Sequence, residues 1–295
     1  MRIGLVGAGH GGGGMIRVAG APISWGVCEV PGWGLMLSVE RVLAEMAELG
    51  LTATELGPDG YLPADRAGVL RRHGLEVAGG FVPVMLHDPT HDPLPALLPS
   101  LATWEGALVL AAATGADGYD ARPELDSDGW RTLLTNLDRI DEAVTERGVL
   151  ATLHPHIGTM VEREEEVRRV LEGSHIKLCL DTGHLLAGGT DPAALAREVP
   201  GRVAHVHLKD VDAAWAARVR SGEVSYTDAV RAGMYRPLGD GDVDVAGIVT
   251  TLTANGYAGW YVLEQDTMLD EDPPAGEGPV LDVRRSLEHL RKVSA

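Results

Sequence analysis

Short apolar segments alternate with amphipathic segments along most of the chain. The apolar segments have the length and flanking turn residues of β-strands. The predicted strands are Pro22–Gly26, Ala53–Gly57, Val77–Pro83, Ala116–Ala121, Leu150–His156, Lys177–Asp181, Val203–Asp210 and Gly259–Asp266. Between them, apolar residues recur at helical spacing and predict helices at Val39–Leu49, Pro95–Ala113, Trp130–Arg147, Glu162–Leu171, Pro192–Val199 and Val245–Asn255.

Eight strand–helix units in series are typical of a closed (β/α)8 TIM barrel, an α/β fold. Ser38 and Asp191 stand where the N-caps of two of the helices belong. No Pro/Gly/Ser-rich linker divides the chain, so we predict a single barrel domain over residues 20–295. The long excursion Asp212–Arg236 follows the seventh strand, and in a barrel it would lie over the active mouth as a lid.

Residues 1–19 contain a pattern that dinucleotide-binding turns also show. Gly7, Gly9 and Gly12 match G-x-G-x-x-G after a short apolar stretch. The glycine run 11–14 disfavours the helix that would have to hold a pyrophosphate, and too few residues remain before the next predicted strand. We therefore expect a short Gly-rich N-terminal extension that binds no NAD and that folding does not need.

The charge composition argues against some classes of binding partner. The 295 residues include 43 acidic and 25 basic side chains, a net charge of −18 that would repel phosphate backbones and anionic membranes. No apolar run approaches the roughly 20 residues that a membrane helix needs. Cys28 and Cys179 are expected as buried, reduced thiols. We expect a cytoplasmic protein that binds a small molecule and neither nucleic acid nor membranes. The sequence is compatible with a homo-oligomer.

The candidate chemistry collects where predicted strands end. Because active sites of barrels lie at the carboxyl ends of the strands, polar residues at those ends are candidates for function. Strand alternation puts His205, His207 and Lys209 on one inward face, and it also turns Asp181 and Glu264 inward. The last four strand ends each offer an imidazole or a carboxylate, a ligand set that suits Mn2+, Co2+, Fe2+ or Zn2+ better than Mg2+.

The motifs at these strand ends resemble a known family. They are Ala21-Pro-Ile-Ser-Trp-Gly26, Thr54-Glu-Leu-Gly-Pro58, His154-Pro-His-Ile-Gly-Thr159, Leu180-Asp-Thr-Gly-His184, His205-Val-His-Leu-Lys-Asp210 and Leu263-Glu-Gln-Asp266. Together they are similar to the xylose-isomerase-like (β/α)8 barrels, which include sugar epimerases, hydroxypyruvate isomerase and, as the nearest branch, myo-inosose-2 dehydratase. The resemblance covers about residues 20 to 293.

The resemblance implies roles for particular residues. It implies one divalent ion held by His154, Asp181, His207 and Glu264. Mn2+ and Co2+ are the expected ions, and Zn2+, Fe2+ and Mg2+ are the alternatives. His154 stands where epimerases have Glu, so His156 is a rival ligand. His184 and Lys209 would contact substrate oxygens and, with Glu55, are the unranked candidates for general acid and base. Trp25, His156, His205 and Arg236 are the expected substrate contacts.

Several of these residues also have structural interpretations. Glu55 could pair with a basic neighbour, Lys209 could pair with Asp210 or Asp240, and Trp25 could belong to the core. We interpret the acidic stretch Asp266–Asp272 as a solvated loop.

The main hypothesis for function is a metal-dependent carbon–oxygen lyase of inositol catabolism. It would remove water from 2-keto-myo-inositol through an enolate that the metal stabilises. A sugar or inosose isomerase or epimerase with the same metal site is the alternative, and a non-catalytic sugar-binding barrel is a second one.

Overall fold

The computed structural model describes residues 16–293. In chain order its strands are β1 (Arg17–Gly20), β2 (Ala53–Glu55), β3 (Glu76–Val84), β4 (Ala107–Ala112), β5 (Ala151–Leu153), β6 (Lys177–Asp181), β7 (Val203–Leu208), β8 (Asp210–Val211), β9 (Tyr235–Arg236) and β10 (Trp260–Leu263). All except β8 and β9 pair in parallel and close in the order β1-β10-β7-β6-β5-β4-β3-β2. The prediction of a (β/α)8 barrel is confirmed.

Helices follow the barrel strands and cover the outside. They are α1 (Val39–Glu48), α2 (Arg66–His73), α3 (Leu94–Ser100), α4 (Ser127–Thr145), α5 (Glu164–Gly173), α6 (Thr182–Gly188), α7 (Pro192–Glu198), α8 (Ala213–Arg220), α9 (Tyr226–Arg231), α10 (Val245–Ala254) and α11 (Pro279–Val293). Asp191 caps α7 by accepting from two backbone amides, whereas Ser38 stands at the N-cap of α1 without a side-chain bond. Among residues 16–293 the structure contains no helix both long and apolar enough to cross a bilayer.

The predicted first strand is wrong. Pro22–Trp25 forms a 3-10 turn, and the strand that pairs with β10 and β2 is Arg17–Gly20. Pro22 has no amide hydrogen to give to a ladder, and the turn ends at Gly26 with φ 80°. The predicted boundary at residue 20 therefore falls at the end of a barrel strand, and residues 17–19 belong to the barrel. The motif Gly7–Gly12 lies outside the described residues.

The predicted fourth strand is also wrong. Ala116–Ala121 is irregular, and β4 lies in the carboxyl half of the predicted helix Pro95–Ala113. All six residues of β4 are buried, so the strand has no polar alternation to distinguish it from a buried helix segment. Gly106, just before it, has φ 76°, and a Cβ there would lie 2.7 Å from the backbone of Ala78. The helix therefore has to end before this glycine.

The excursion after β7 covers part of the carboxyl end of the barrel. Its helices α8 and α9 lie between β8 and β9, which pair antiparallel. Asp210 fixes the base of the excursion, because its carboxylate accepts from the amides of Gly239, Gly241 and Val243. Tyr226 and Tyr235 belong to a buried apolar cluster that the excursion forms with Cys28, Trp33, Ile157 and Ala187. The excursion thus brings aromatic side chains to the end of the barrel where the strand-end residues meet.

Candidate active site

Parallel register brings the polar strand ends together. Asp181 at the end of β6 pairs with His207 on β7, and Leu208 on β7 pairs with Leu263 on β10. Lys209 and Glu264 each follow one residue later. The side chains of Asp181, His207 and Glu264 offer atoms that all lie within 4.8 Å of one another. The predicted convergence of these three inward positions is therefore present in the structure.

Buried polar atoms of these side chains face each other. Nδ1 of His207 lies 3.5 Å from Oδ2 of Asp181 and contacts Oε2 of Glu264. His154 Nε2 is 3.1 Å from the same Oδ2 of Asp181. Within the described chain, Nδ1 of His207 and Oε2 of Glu264 are buried and make no hydrogen bond. Buried polar atoms without hydrogen bonds are rare, and here they converge as the ligands of one cation would.

The segment Asp181-Thr-Gly-His184 positions two site residues at once. Asp181 Oδ1 caps α6 by accepting from the amides of Gly183 and His184 at 2.9 and 2.8 Å. Thr182 Oγ1 donates to the carbonyl of Lys209 at 2.6 Å. Gly183 leaves room for the Lys209 side chain, since a Cβ at Gly183 would lie 2.6 Å from Cβ of Lys209. The motif therefore leaves Oδ2 of Asp181 facing the site and holds Lys209 next to it.

Glu55, at the end of β2, faces the two histidines of β7. Its Oε1 accepts from Nε2 of His205 at 2.8 Å and from Nε2 of His207 at 3.0 Å. Burial would raise the pKa of Glu55, but His207 and His205 outweigh it and hold the pKa below its ordinary value. Glu55 is therefore an ionised hydrogen-bond acceptor for both imidazoles.

Lys209 is enclosed by carboxylates. Its Nζ lies 3.1 Å from Asp181, 3.3 Å from Glu264 and 3.0 Å from Asp266. Burial would lower the pKa of Lys209, but these carboxylates raise it well above its ordinary value. Lys209 is thus an ammonium that balances the negative charge of the group. The expected pairing with Asp210 or Asp240 is wrong, because Asp210 binds backbone amides and Asp240 pairs with Arg285.

Three imidazoles, those of His154, His156 and His184, pack against one another in the site. His156 and His184 stack with ring centroids 3.7 Å apart, and His154 lies edge-on to both. Burial lowers the pKa of His154, His156 and His184 below the ordinary value for histidine. His156 donates from Nδ1 to the carbonyl of Ile157 at 2.6 Å. A neutral His156 therefore has its lone pair on Nε2.

Asp266 and two tyrosines complete the site, although the sequence analysis did not assign them to it. Asp266 is 7% exposed, so its interpretation as part of a solvated loop is wrong. Its carboxylate accepts from the hydroxyl of Tyr226, and Tyr235 is 3.3 Å from both Tyr226 and Nδ1 of His184. The position of Asp266 two residues after Glu264 is a signal that could have found it. Nothing in the sequence marks the tyrosines.

A cavity of about 240 Å3 opens beside these groups. Its ionisable lining residues are Cys28, Glu29, Glu55, Asp59, His154, His156, Glu264 and Asp266, and its apolar lining includes Ile23, Val27, Trp33, Phe81, Val82, Pro83 and Tyr119. Asp181, His184, His205, His207 and Lys209 are not among the lining residues, although they contact residues that are.

Besides His205, two more expected substrate contacts do not line the cavity, Trp25 and Arg236. Trp25 is fully buried, and its Nε1 donates to Oε2 of Glu45 at 2.8 Å, so the indole belongs to the core. Arg236 is half-exposed and pairs with Asp212 at 3.5 Å, within the excursion. Trp33 and Phe81 take the aromatic positions at the cavity that the sequence suggested for Trp25.

The donor set fits a divalent metal ion. Imidazole nitrogen and carboxylate oxygen are ligands that first-row divalent ions share. The thiol of Cys179 lies near His154 and His207, but burial raises its pKa to about 11, so it stays protonated. Between the two histidines that follow β5, His154 is the one in contact with Asp181. His156 groups with His184 and Asp266 instead.

Known proteins resemble this chain over nearly its full length. It is 34% identical over 296 residues to the rhizopine catabolism protein MocC of Rhizobium meliloti, covering 95% of this chain and 89% of that protein. It is 32% identical over 297 residues to an inosose dehydratase of Geobacillus kaustophilus (strain HTA426), covering 94% of each.

Solved structures and a family model agree with the barrel architecture. The crystal structure of the IOLI protein with a binding zinc atom superposes with a TM-score of 0.69 at 12% identity, over 95% of this chain and 98% of that one, a likeness of fold alone. Residues 43–293 match the family model described as xylose isomerase-like TIM barrel. The chain therefore belongs to the xylose isomerase-like TIM barrel family.

Proposed function

We propose that this protein is a metal-dependent dehydratase that removes water from a keto-inositol such as 2-keto-myo-inositol. The metal site is inferred from one observation: Asp181, His207 and Glu264 converge, and Nδ1 of His207 and Oε2 of Glu264 are buried without a hydrogen bond. The choice of substrate rests on the relatives, which include an inosose dehydratase and a rhizopine catabolism protein. These names support an enzyme of inositol-related sugar chemistry.

The ion would be held by Asp181, His207 and Glu264, with His154 as the fourth ligand and His156 as the rival. When bound, such an ion supplies Lewis-acid polarisation of a substrate carbonyl or hydroxyl. The carboxylates of Asp181 and Glu264 keep Lys209 beside them as an ammonium, which limits the repulsion between these two negative charges. Mn2+ and Co2+ remain our first choices of metal, and the zinc named for the IOLI structure makes Zn2+ a further one to test.

Loss of water needs a base for the proton next to the carbonyl and an acid for the departing hydroxyl. We assign the base to His156, since it lines the cavity, burial keeps it neutral, and its Nε2 lone pair is free of the bond to Ile157. We assign the acid to Asp266, which also lines the cavity; burial raises its pKa above the ordinary value even though Lys209 lowers it, so that Asp266 can hold a proton for the departing hydroxyl. His184 stacks behind His156 and positions it.

The test is a product analysis of metal-loaded protein with a panel of inososes and ketoses. We expect metal-dependent formation of a dehydrated diketone, seen as an enone-type absorbance and as the mass of lost water. Stereoisomers or aldose–ketose pairs that incorporate solvent deuterium without losing water would show an isomerase or epimerase instead. Binding of these compounds without turnover would indicate a sugar-binding barrel.

Replacing the proposed base tests the assignment of roles. His156→Gln should lower kcat by about 10²-fold or more, the usual scale for losing a general base, while the protein keeps its metal. His175→Gln is the matched control, because His175 is exposed and contacts only Asp138 and Asp141 among ionisable groups. Unchanged kcat in His156→Gln would move the base to another residue.

A further inference from the structure

We propose that Glu55 is a positioning residue: it fixes the proton of His207 on Nε2 and directs Nδ1 of that ring toward the carboxylates of Asp181 and Glu264. This inference rests on the proposed metal site. It replaces the expectation that Glu55 is a general base.

Glu55 accepts hydrogen bonds from both histidines of β7. Both imidazoles of β7 direct Nε2 at its single Oε1 atom, at 2.8 Å from His205 and 3.0 Å from His207. An ionised carboxylate can only accept hydrogen bonds, so each ring has to carry a hydrogen on Nε2. Glu55 is 4% exposed, and a buried carboxylate is stable only with such partners. Oε1 therefore already has two donors and is poorly placed to take a proton from a substrate.

The other ring nitrogen of His207, Nδ1, faces the carboxylates of Asp181 and Glu264. The bond to Glu55 uses the hydrogen on Nε2, so Nδ1 is the nitrogen of His207 that can bind a metal ion. That Nδ1 contacts Oε2 of Glu264 and lies 3.5 Å from Oδ2 of Asp181. Burial would lower the pKa of His207, but Cys179, Glu264 and Glu55 raise it well above its ordinary value, so in the metal-free chain a proton on Nδ1 separates the nitrogen from the two carboxylates. A metal ion that binds there takes the place of this proton. The hydrogen bond to Glu55 therefore makes Nδ1 the ligand atom of His207.

The contact between Glu55 and His207 depends on the barrel fold. Glu55 ends β2 and His207 lies on β7, so the contact crosses the barrel interior between strands that do not pair. His205, two residues before His207 on the same face, fills the remaining space beside Oε1. A partner that orients a metal-binding histidine typically changes metal affinity by about 10–100-fold when it is removed.

The experiment measures metal affinity by calorimetric titration of metal-free protein with Mn2+, and the electronic spectrum with Co2+. Glu55→Gln and Glu55→Ala should bind Mn2+ about 10–100-fold more weakly than the wild type and change the Co2+ spectrum. Glu45→Gln is the matched control: Glu45 is equally buried and accepts from the aromatic N–H of Trp25, but outside the site. It should keep wild-type affinity.

Wild-type Mn2+ affinity and Co2+ spectrum in Glu55→Gln, together with a lost kcat, would overturn the proposal and return Glu55 to the role of base. A second measurement needs no variant: nitrogen NMR of the histidines in wild-type protein should find a hydrogen on Nε2 of His207 both with and without metal, and none on Nδ1 once Zn2+ is bound. A bare Nε2 on His207 would overturn the proposal. If the wild type binds no divalent ion, the proposed function fails, whereas the NMR result still decides the role of Glu55.

Discussion

The two oxygens of Asp181 have different partners, and this division orients the residue. Oδ1 accepts from two amides at the start of α6, while Oδ2 faces His154, His207 and Lys209. Burial alone would raise the pKa of Asp181, but Lys209 and His184 are the leading groups that lower it well below its ordinary value. The residue is therefore an ionised ligand whose direction is set by the helix that it caps.

Asp181→Asn should abolish metal retention, because the amide keeps the shape of the side chain but removes the negative charge. The measurement is elemental analysis after gel filtration. Asp191→Asn is the control: Asp191 caps α7 in the same way, through the amides of Ala193 and Ala194, at a distance from the site. A full metal content in Asp181→Asn would contradict the ligand assignment.

The contact between α6 and β7 depends on the absence of a side chain at Gly183. A Cβ there would lie 2.6 Å from Cβ of Lys209 and 2.8 Å from Cε1 of Tyr235. Cβ of Lys209 is attached to the β7 side of the barrel and cannot move away as a side-chain tip can. The first turn of α6 can therefore approach Lys209 only with glycine at this position.

Gly183→Ala should destabilise the protein by about 1–3 kcal/mol, the usual cost of overpacking a filled interior. The free energy of unfolding in urea measures it. Gly201→Ala serves as control, since an added Cβ at Gly201 would meet no atom within 4 Å. Equal stability of the two variants would show that α6 can shift without cost.

The first strand decides how much of the N-terminus folding needs. Residues 17–19 of the predicted extension lie in β1, so the expectation that folding does not need residues 1–19 is wrong. We now expect deletion of residues 1–15 to preserve the thermal melting temperature and deletion of 1–20 to prevent folding, because β2 and β10 would both lose a partner. Circular dichroism measures both. Cooperative native melting of the 1–20 deletion would refute the placement of β1.

At the scale of the whole molecule, the site concentrates buried charge at one end of the barrel. Asp181, Glu264 and Asp266 surround the ammonium of Lys209, and Glu55 is hydrogen-bonded to His207. A bound cation would offset the remaining repulsion in a setting where solvent screens it poorly. The metal should therefore stabilise the folded chain as well as complete the site.

Chelation should lower the melting temperature, and added Mn2+ should restore it. A ligand at 100 times its Kd stabilises a folded protein by about 2.7 kcal/mol, which sets the scale of the effect. In the Asp181→Asn variant the melting temperature should not respond to Mn2+. An identical melting temperature for chelated and Mn2+-loaded wild type would contradict binding at this site.

The sequence by itself determined the barrel and most of the residues at its mouth. Amphipathic helices, apolar strands and polar strand ends follow from local periodicity, which a single chain displays directly. Asp181, His207 and Glu264 could be placed together because parallel strands end at the same edge. Periodicity failed at β4, where every residue is buried, and at Pro22, where a short apolar segment is a turn.

Only the tertiary structure decided what each polar residue faces. The pairing of Glu55 with two histidines spans 150 residues of sequence, and Tyr226 reaches Asp266 from an excursion that has no motif. The structure also places Trp25 in the core and buries Lys209 among three carboxylates. These outcomes depend on which atoms meet across the barrel, and a pattern along the chain contains no information about such distances.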